Sequence, residues 1–291
     1  MSLASEGARR RTWSTVRPLL LLLPAYALLI GVFAYPVLDS MWRSVTEPTA
    51  GWGNYAWALG SSGNLAVIGR TFGNALFATM VCVVLGFPFA YLMVISAPRT
   101  RAILIAITLV PFWTSLMIRT FAWIVILQDR GIVNSLLAGI GLGPLELLRT
   151  NTGVLIGLAH VLMPFMILPL YATMNSIDLR LIMAARSLGA SPFSAFWRIF
   201  VPLSVPGLAA GSLLVFIQAL GFYITPALLG SPADSMLAQS IYSQVNGLLA
   251  WGRGGALGVI LLTVTLVLLG AVALLIRIGH RRDVSVGIPG Q

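Results

Sequence analysis

The 291-residue chain contains no lysine, so all 18 of its basic residues are arginine. Without lysine it cannot form a GxxxxGK[ST] nucleotide-binding loop, a Schiff-base lysine or a catalytic Ser-Lys pair. Any nucleotide hydrolysis connected with this protein must therefore take place on a partner chain.

Cysteine and acidic residues are also scarce. Cys82 is the single cysteine, which excludes a disulfide framework or a thiolate metal site within one chain. Its place in an apolar run predicts a buried small hydrophobic residue. The eight acidic residues leave a net charge of +10. No metal site and no cofactor are predicted.

Long apolar runs dominate what is present. Hydrophobic residues make up 58% of the chain and charged residues 9%, which is typical of a bilayer protein rather than a soluble domain. About 20 apolar residues cross the hydrocarbon core as a helix. This rule predicts an all-α membrane protein with six spans, near residues 19–41, 68–96, 102–127, 152–176, 203–229 and 255–278.

The distribution of arginine predicts the orientation of these spans. With both termini cytoplasmic, twelve arginines fall in cytoplasmic segments and five lie on the other side. Cytoplasmic connections are enriched in basic residues, so this ratio favours a cytoplasmic N-terminus and C-terminus. Topology and contact with anionic lipid explain the basic excess, and no nucleic-acid partner is needed.

The N-terminal region imitates a signal peptide, because four arginines precede LLLLLPAYALLIGVFAYPVL. The apolar run is too long for a signal peptide, however, and no cleavage site follows it promptly. Residues 1–18 are therefore predicted to be a cytoplasmic tail and residues 19–41 an uncleaved first span.

The connections between spans differ on the two sides. Residues 42–67 and 230–254 are rich in Gly, Ser, Asn, Trp and Tyr, which predicts short surface helices and turns outside. Residues 128–151 predict a further short interfacial helix. On the cytoplasmic side, 98–101 is a tight turn and 177–202 is the only long segment between spans.

The long segment contains AARSLGASPFSAFWRIFVP, which predicts two helices joined by a turn. Asp178 can cap the first helix, and Gly189 supplies its stop. Ser191 followed by Pro192 is typical of the start of a second helix, and Pro202 is expected to end it.

Aromatic residues in the second helix recur at i, i+3, i+4 and i+7, as Phe193, Phe196, Trp197 and Phe200. This spacing predicts one broad aromatic face. Periodicity alone leaves two interpretations. The segment either lies on the inner leaflet with its aromatic face down, or forms an elbow whose small residues let another protein approach closely.

The intervals in this segment resemble the cytoplasmic signature of membrane subunits of type I binding-protein-dependent ABC importers. That signature reads E-A-A, three residues, G, nine residues, I-x-L-P. Here Ala184 and Ala185 are followed by three residues, then Gly189, then nine residues, then IFVP at 199–202, so every interval agrees.

Two positions depart from the signature. Met183 replaces its glutamate and Val201 replaces its leucine. The second change is conservative. The first removes a carboxylate that could pair with a basic residue, so the contact at that point must rest on shape.

In that family the elbow is the coupling helix, which lodges in a groove of a cytosolic ATPase and converts ATP-driven closure into alternating access. The resemblance implies a subunit of a bacterial inner-membrane importer that is not an enzyme and forms half of the translocation pathway. Its permease domain would cover residues 69–277, with the first span packed outside it and a cytoplasmic tail at 278–291. The residues implied to couple to the ATPase are Asp178, Met183, Ala184, Ala185, Arg186, Gly189, Ala190, Ser191, Pro192, Phe196, Arg198 and Pro202.

The implied partners are two cytosolic ATP-binding subunits, a second permease, an extracytoplasmic solute-binding protein and the lipid bilayer. The segments PFWTSLMIRTFAW, GIVNSLL, LMPFMILPLYATM and GFYITPALLG further resemble spermidine/putrescine-type permeases. This favours a polyamine or related small amine as cargo. A dication would favour acidic lining, yet Asp39 is the only acid near a span, so an organic anion, an opine-like compound or another amine stays open.

Candidate pathway residues are few. Arg119 is the one charge well inside a span, and it either contacts cargo near the outer side or snorkels outward, pairing with a loop carbonyl or Asp129. Gln218, Phe222 and Tyr223 are candidates for cavity lining, because amide and aromatic groups in a kinked span suit an amphipathic solute.

Other features of the spans leave alternatives open. His160 is expected to be a hydrogen-bonded core residue, because no second histidine or carboxylate lies at ligand spacing. Gly207 and Gly211 predict close helix packing, within the subunit or across a dimer. Four prolines break the spans and either line a pathway or form packed kinks, namely Pro111, Pro164, Pro169 and Pro226.

Two other classes of protein compete with a transporter subunit. A stand-alone channel or secondary carrier would need no long elbow of fixed length. A membrane-embedded enzyme using His160 would need more polar groups than the spans provide.

Overall fold

A computed structural model describes residues 22–285, and the side chains of residues 273 and 275–285 are outside that description. The predicted tail 1–18, the first residues of the predicted span 19–41 and residues 286–291 therefore lie outside the described residues. Within the described part all regular structure is helical, which confirms the all-α prediction.

Within residues 22–285 the structure contains seven longer helices and five short α-helices, besides a 3-10 turn at Pro232–Asp234 and a π turn at Ser243–Gly247. The longer helices are α1 (Leu22–Thr46), α3 (Ser62–Ile95), α4 (Pro98–Trp113), α5 (Leu116–Leu127), α7 (Asn151–Asn175), α9 (Pro192–Leu220) and α12 (Trp251–Ser285). The short helices are α2 (Gly53–Gly60), α6 (Ile132–Gly139), α8 (Arg180–Ser187), α10 (Ile224–Leu229) and α11 (Leu237–Tyr242).

Six segments of the described chain are long and apolar enough to cross a membrane, as the sequence predicted. The third of them, Leu116–Gly139, comprises α5, a short link and α6. The short helices predicted in the three outer connections are confirmed by α2, α6 and α11. The connection 177–191 and the link at 96–97 lie at one end of the bundle, which is called the elbow end below; the other is the opposite end.

The third predicted span, 102–127, is wrong as a single helix. It consists of α4 and α5, separated by extended backbone at Thr114 (ψ 135°) and Ser115 (ψ 134°). Pro111 has no N–H to donate within α4, which weakens the last turn before the break. By contrast, Pro164 and Pro169 lie inside α7, which continues through both of them.

The core is formed by α3, α7 and α9, which pack closely through glycine. A Cβ built on Gly211 of α9 would lie 3.0 Å from the carbonyl oxygen of Met166 in α7, and one on Gly207 would lie 3.0 Å from that of Pro169. These glycines therefore allow close helix packing within the subunit, which was the first of the two predicted uses. Cys82 is fully buried in the same core, as predicted.

Polar contacts fix the helices to one another. Asn74 of α3 and Asn151 of α7 exchange hydrogen bonds, with Nδ2 to Oδ1 distances of 2.7 and 3.1 Å. In an apolar environment such a reciprocal amide pair holds two helices in register.

The helix α1 packs against α12 along the glycine-rich start of α12. A Cβ on Gly252 would overlap the carbonyl oxygen of Glu47, and one on Gly255 would lie 2.5 Å from that of Ser40. Most side chains of α1 are exposed to the surroundings of the bundle.

The last carbonyls of α3 are satisfied by an arginine from the next helix. Arg101 of α4 donates from Nε to Met93 O (3.0 Å) and from Nη2 to Val94 O (2.9 Å) and Ser96 O (3.3 Å). A cation at this position also interacts favourably with the negative end of the α3 dipole.

Replacing Arg101 by Gln is expected to destabilise the protein by about 2–3 kcal/mol, because hydrogen bonds that involve a charged group contribute more than neutral ones. Thermal unfolding in detergent measures the effect. Arg99→Gln is the matched control, since Arg99 lies in the same first turn of α4 and is exposed. Equal melting temperatures for the two variants would show that the Arg101 bonds add nothing to stability.

Candidate functional site

The first half of the elbow is closed by local hydrogen bonds that the sequence predicted. Asp178 Oδ1 accepts from the N–H of Arg180 at 2.9 Å, just before α8. At the other end of α8, Gly189 has φ +93° and its N–H donates to Arg186 O, while the N–H of Ala190 donates to Ala185 O, both at 3.0 Å. This pair of bonds with a left-handed glycine is a Schellman motif, in which glycine is the favoured residue at that place.

The second half begins as expected. Ser191 Oγ accepts from the N–H of Ser194 at 3.2 Å, and Pro192 occupies the first turn of α9. The elbow therefore consists of α8, a tight turn and the beginning of α9.

The expectation that Pro202 ends the second helix is wrong. The helix runs from Pro192 to Leu220 and includes a π-helical turn at Phe196–Phe200. The N–H of Val201 donates to Phe196 O across the wide turn, and Pro202 follows at the start of regular α-helix. Proline cannot donate to the preceding turn and its ring needs extra room there, and the wide turn at Phe196–Phe200 accommodates both. The second half of the elbow and the fifth span are thus one continuous helix.

The single aromatic face predicted for this helix is also wrong. Phe200 is fully buried and Phe196 partly buried, whereas Phe193 is 73% and Trp197 54% exposed. The π turn changes the rotation per residue, so the four aromatic residues divide between an inner and an outer face.

The inner face anchors the elbow to the bundle. Phe196 and Phe200 pack with Ile177 and Ile182 against the ends of α3 and α7. The buried residues of these ends are Ala90, Val94, Leu170 and Met174.

The outer face of the elbow is apolar and basic. Its exposed apolar side chains are Met183, Leu188, Phe193 and Trp197. Arg180, Arg186 and Arg198 are exposed among them. Ala184 and Gly189 are exposed as well, and a Cβ built on Gly189 meets nothing within 4 Å. A second protein can therefore approach the backbone closely here.

Arg119 lies in the first turn of α5, directly after the break at Thr114 and Ser115. Its Nε atom is buried without a hydrogen-bond partner, and within residues 22–272 it forms no ion pair with Asp129. The predicted pairing with Asp129 is therefore wrong, because the acid lies beyond the other end of α5.

Four residues after Arg119, Trp123 joins α5 to α7. Trp123 Nε1 donates to His160 Nδ1 at 3.1 Å, and the two rings meet edge to face with centroids 5.4 Å apart. His160 is thus hydrogen-bonded, as the sequence predicted, but it is partly buried rather than a core residue. Groups of three or more His, Cys, Asp or Glu that could hold a metal ion are absent from the described residues.

A cavity of about 250 Å³ lies between α3, α4 and α7. Its polar lining residues are Thr108 and His160, and Pro111 and Pro164 form part of its wall. Two of the four prolines predicted to break the spans therefore line an opening beside the broken third span.

The remaining pathway candidates lie near the opposite end. Gln218 is exposed on the last turn of α9, which ends at Leu220. Phe222 packs against the core, and Tyr223 meets Tyr242 of α11 with ring centroids 4.6 Å apart. Residues 221–223 interrupt the predicted fifth span, and Pro226 lies in the separate short helix α10.

Sequence reasoning missed the ring contacts, the amide pair of Asn74 and Asn151, and the arginine cap. The amide pair and the ring contacts between α3 and α9 join residues far apart in the sequence, and the cap joins Arg101 to carbonyls on the other side of a helix boundary.

The arrangement defines a class: a helical membrane protein with six apolar spans, an elbow between the fourth and fifth, and no metal cluster in its described part. Residues 100–278 match the family described as "Binding-protein-dependent transport system inner membrane component". The match covers more than half of the chain, which therefore belongs to this family. Its members are transport components of the inner membrane rather than enzymes.

The chain is similar to spermidine/putrescine transport system permease proteins PotB. It is 39% identical over 184 residues to that of Haemophilus influenzae, and the aligned region covers 62% of this chain and 64% of the relative. It is 36% identical over 197 residues to that of Escherichia coli, which covers 67% of this chain and 72% of the relative.

Among solved structures, the fold is similar to a bacterial alginate ABC transporter in complex with an alginate pentasaccharide-bound periplasmic protein. The TM-score is 0.73 at 19% identity, and the match covers 89% of this chain and 92% of the other. At this identity the likeness shows the fold alone.

Proposed function

We propose that the chain is the permease subunit of an ATP-driven ABC importer and forms half of its translocation pathway. The observation that supports this most directly is the elbow. Its backbone is fixed by caps at both halves, its inner face is anchored to the ends of α3 and α7, and its outer face is exposed, apolar and basic.

The elbow is proposed to bind a cytosolic ATP-binding subunit. Its exposed side chains would fill a groove, while the three arginines contact acidic groups or lipid phosphates. Met183 offers a flexible apolar side chain where the family signature has glutamate, so shape rather than charge would hold that point. In the proposed orientation the elbow end is cytoplasmic, which is the side that the distribution of arginine favours for both termini.

The proposed partners are two ATP-binding subunits, a second permease subunit and an extracytoplasmic solute-binding protein. The family is named for its dependence on a binding protein, and the chain itself contains no lysine for a phosphate-binding loop. The permease domain proper is proposed to cover residues 69–277, with α1 outside it.

The proposed cargo is a polyamine or a related small amine. Two relatives more than 35% identical are spermidine/putrescine permeases. The experiment is reconstitution of the complex from its native host into proteoliposomes, with uptake of labelled putrescine, spermidine and an organic anion measured in the presence and absence of ATP. ATP-dependent uptake of the amines supports the whole proposal. Equal uptake without ATP would instead support a channel or secondary carrier.

Arg119 is proposed to lie on the translocation pathway. A cation inside a span is costly unless it faces protein, water or a cavity, and its buried Nε has no partner within the described residues. A position next to the broken third span explains why such a group is tolerated.

Arg119→Met is expected to melt at a temperature no lower than the unsubstituted protein, because it removes an unsatisfied buried donor. ATP-driven uptake is expected to fall at least tenfold, if Arg119 contacts cargo or gates its passage. Arg130→Met, at an exposed site beyond α5, is the matched control. Unchanged uptake by the Arg119 variant would remove this residue from the pathway.

A further inference from the structure

The second half of the elbow is joined to the fifth span without a hinge. The helix α9 runs unbroken from Pro192 to Leu220, and the N–H of Val201 closes the π turn on Phe196 O. The first half is different, since α8 is flanked by non-helical residues on both sides. A displacement of the elbow is therefore passed directly to α9.

The π turn places two aromatic rings one above the other on the inner face of α9. The rings of Phe196 and Phe200 are stacked, with centroids 5.6 Å apart and planes 15° apart. The wider turn brings side chains four residues apart closer to the same direction than an α-helix does.

A second helix contacts this stack through its own rings. The ring of Tyr91 in α3 meets both phenylalanine rings edge to face, with its centroid 5.2 Å from that of Phe196 and 5.1 Å from that of Phe200 and an interplanar angle of 72° in each pair. One turn earlier, Phe87 meets Phe196 at 6.3 Å and 90°. Edge-to-face pairs at these distances have a preferred geometry, so they hold α3 and α9 in one relative position. We call these four residues the aromatic clamp.

The aromatic clamp also touches the exposed surface of the elbow. Trp197 is 54% exposed and meets Phe196 edge to face, with centroids 5.7 Å apart and planes at 89°. A chain of ring contacts thus runs from the outer face of the elbow, through Trp197 and Phe196, to Tyr91 in α3.

We propose that the aromatic clamp makes α3 and α9 move together when the elbow is displaced, and that Tyr91 and Phe196 are positioning residues for transport coupling. This inference rests on the proposed function, in which an ATPase displaces the elbow. It assigns the two faces of one helical segment different tasks: the outer face binds the ATPase, and the inner face passes the movement to two spans. Closely packed aromatic side chains suit this task because a packed interior has low compressibility and transmits a displacement instead of absorbing it.

The test compares variants of the two faces in the reconstituted complex. Tyr91→Ala is expected to keep the ATPase bound during purification, while the number of cargo molecules taken up per ATP hydrolysed falls at least tenfold. Tyr91→Phe, which keeps the ring, is expected to retain the original ratio. Trp197→Ala is expected to lose the ATPase instead, because it alters the exposed face.

Tyr91→Leu provides a second variant of similar apolar volume, for the case that Tyr91→Ala does not yield folded protein. It lacks the flat ring and is expected to lower the ratio as well. An unchanged ratio in Tyr91→Leu, or loss of ATPase binding in parallel with the ratio, would overturn the inference. If the unsubstituted complex shows no ATP-dependent uptake, the proposed function fails. If it shows such uptake and the Tyr91 variants keep the original ratio of cargo to ATP, the inference about the aromatic clamp fails while the proposed function stands.

Discussion

Gly189→Trp is expected to reduce ATP-driven uptake at least a hundredfold, because the ATPase no longer binds the elbow. Gly189 has φ +93°, and a Cβ built on it meets nothing within 4 Å. The new side chain would therefore project from the elbow surface rather than into the bundle. A bulky group at the centre of a close protein contact prevents docking, whatever the stability of the subunit alone.

The control for this variant is Gly141→Trp. Gly141 has φ +79° and equally open surroundings, but it follows α6 at the opposite end. Both variants have the same cost of a side chain in left-handed backbone, about 1–2 kcal/mol. The readout is co-purification of the ATPase, which is expected to be lost for Gly189→Trp and retained for Gly141→Trp. Full ATP-driven uptake by Gly189→Trp would contradict the role of the elbow.

Gly211→Ile is expected to destabilise the folded protein strongly. Its Cβ would lie 2.9 Å from Met166 Sδ and 3.0 Å from the Met166 carbonyl oxygen, and the backbone of α7 cannot move aside locally. Overpacking of this kind costs about 3 kcal/mol, which corresponds to a loss on the order of 10 °C in melting temperature.

Gly73→Ile tests whether the loss comes from helix contact or from isoleucine itself. Gly73 also lies inside a spanning helix, α3, but a Cβ there meets nothing within 4 Å. Its melting temperature is expected to stay within a few degrees of that of the unsubstituted protein, or to rise slightly, since glycine is a poor helix former. A Gly211 variant as stable as the Gly73 variant would show that α7 and α9 need no close contact.

Much of the elbow could be predicted because its signals are local. Asp178, Gly189 and Ser191 each satisfy backbone groups within five residues of themselves, and such caps are encoded by short patterns. The six apolar segments were found for the same reason, since hydrophobic length is read along the chain.

The errors arose where tertiary packing overrides a local rule. Pro202 is a helix breaker in isolation, but the wide π turn directly before it accommodates its ring and its missing N–H, so the helix continues through it. The same turn divides the aromatic residues that an even α-helical wheel puts on one face. The break at Thr114 and Ser115 follows Pro111 by three residues, whereas α7 tolerates two prolines because it is packed on several sides.

The orphaned Nε of Arg119 and the ring contacts of Tyr91 belong to a third group, which the sequence does not signal at all. Both depend on which helices are neighbours, and six apolar segments of similar composition do not specify their neighbours. Only the glycine contacts of Gly207 and Gly211 were anticipated as close approaches, without the identity of the partner helix.

The π turn at Phe196–Phe200 also determines the direction in which the elbow faces around the axis of α9. Relative to a regular α-helix, such a turn accommodates one additional residue, and one residue corresponds to a rotation of about 100°. Deleting a single residue there would leave the elbow nearly the same distance from the membrane but facing another direction. The nine residues between Gly189 and Ile199 include most of this turn. Their number therefore sets the direction in which the docking surface faces around the helix axis, as well as its distance along that axis. In a chimeric permease with an exchanged elbow, keeping this number of residues would matter more than keeping their identities.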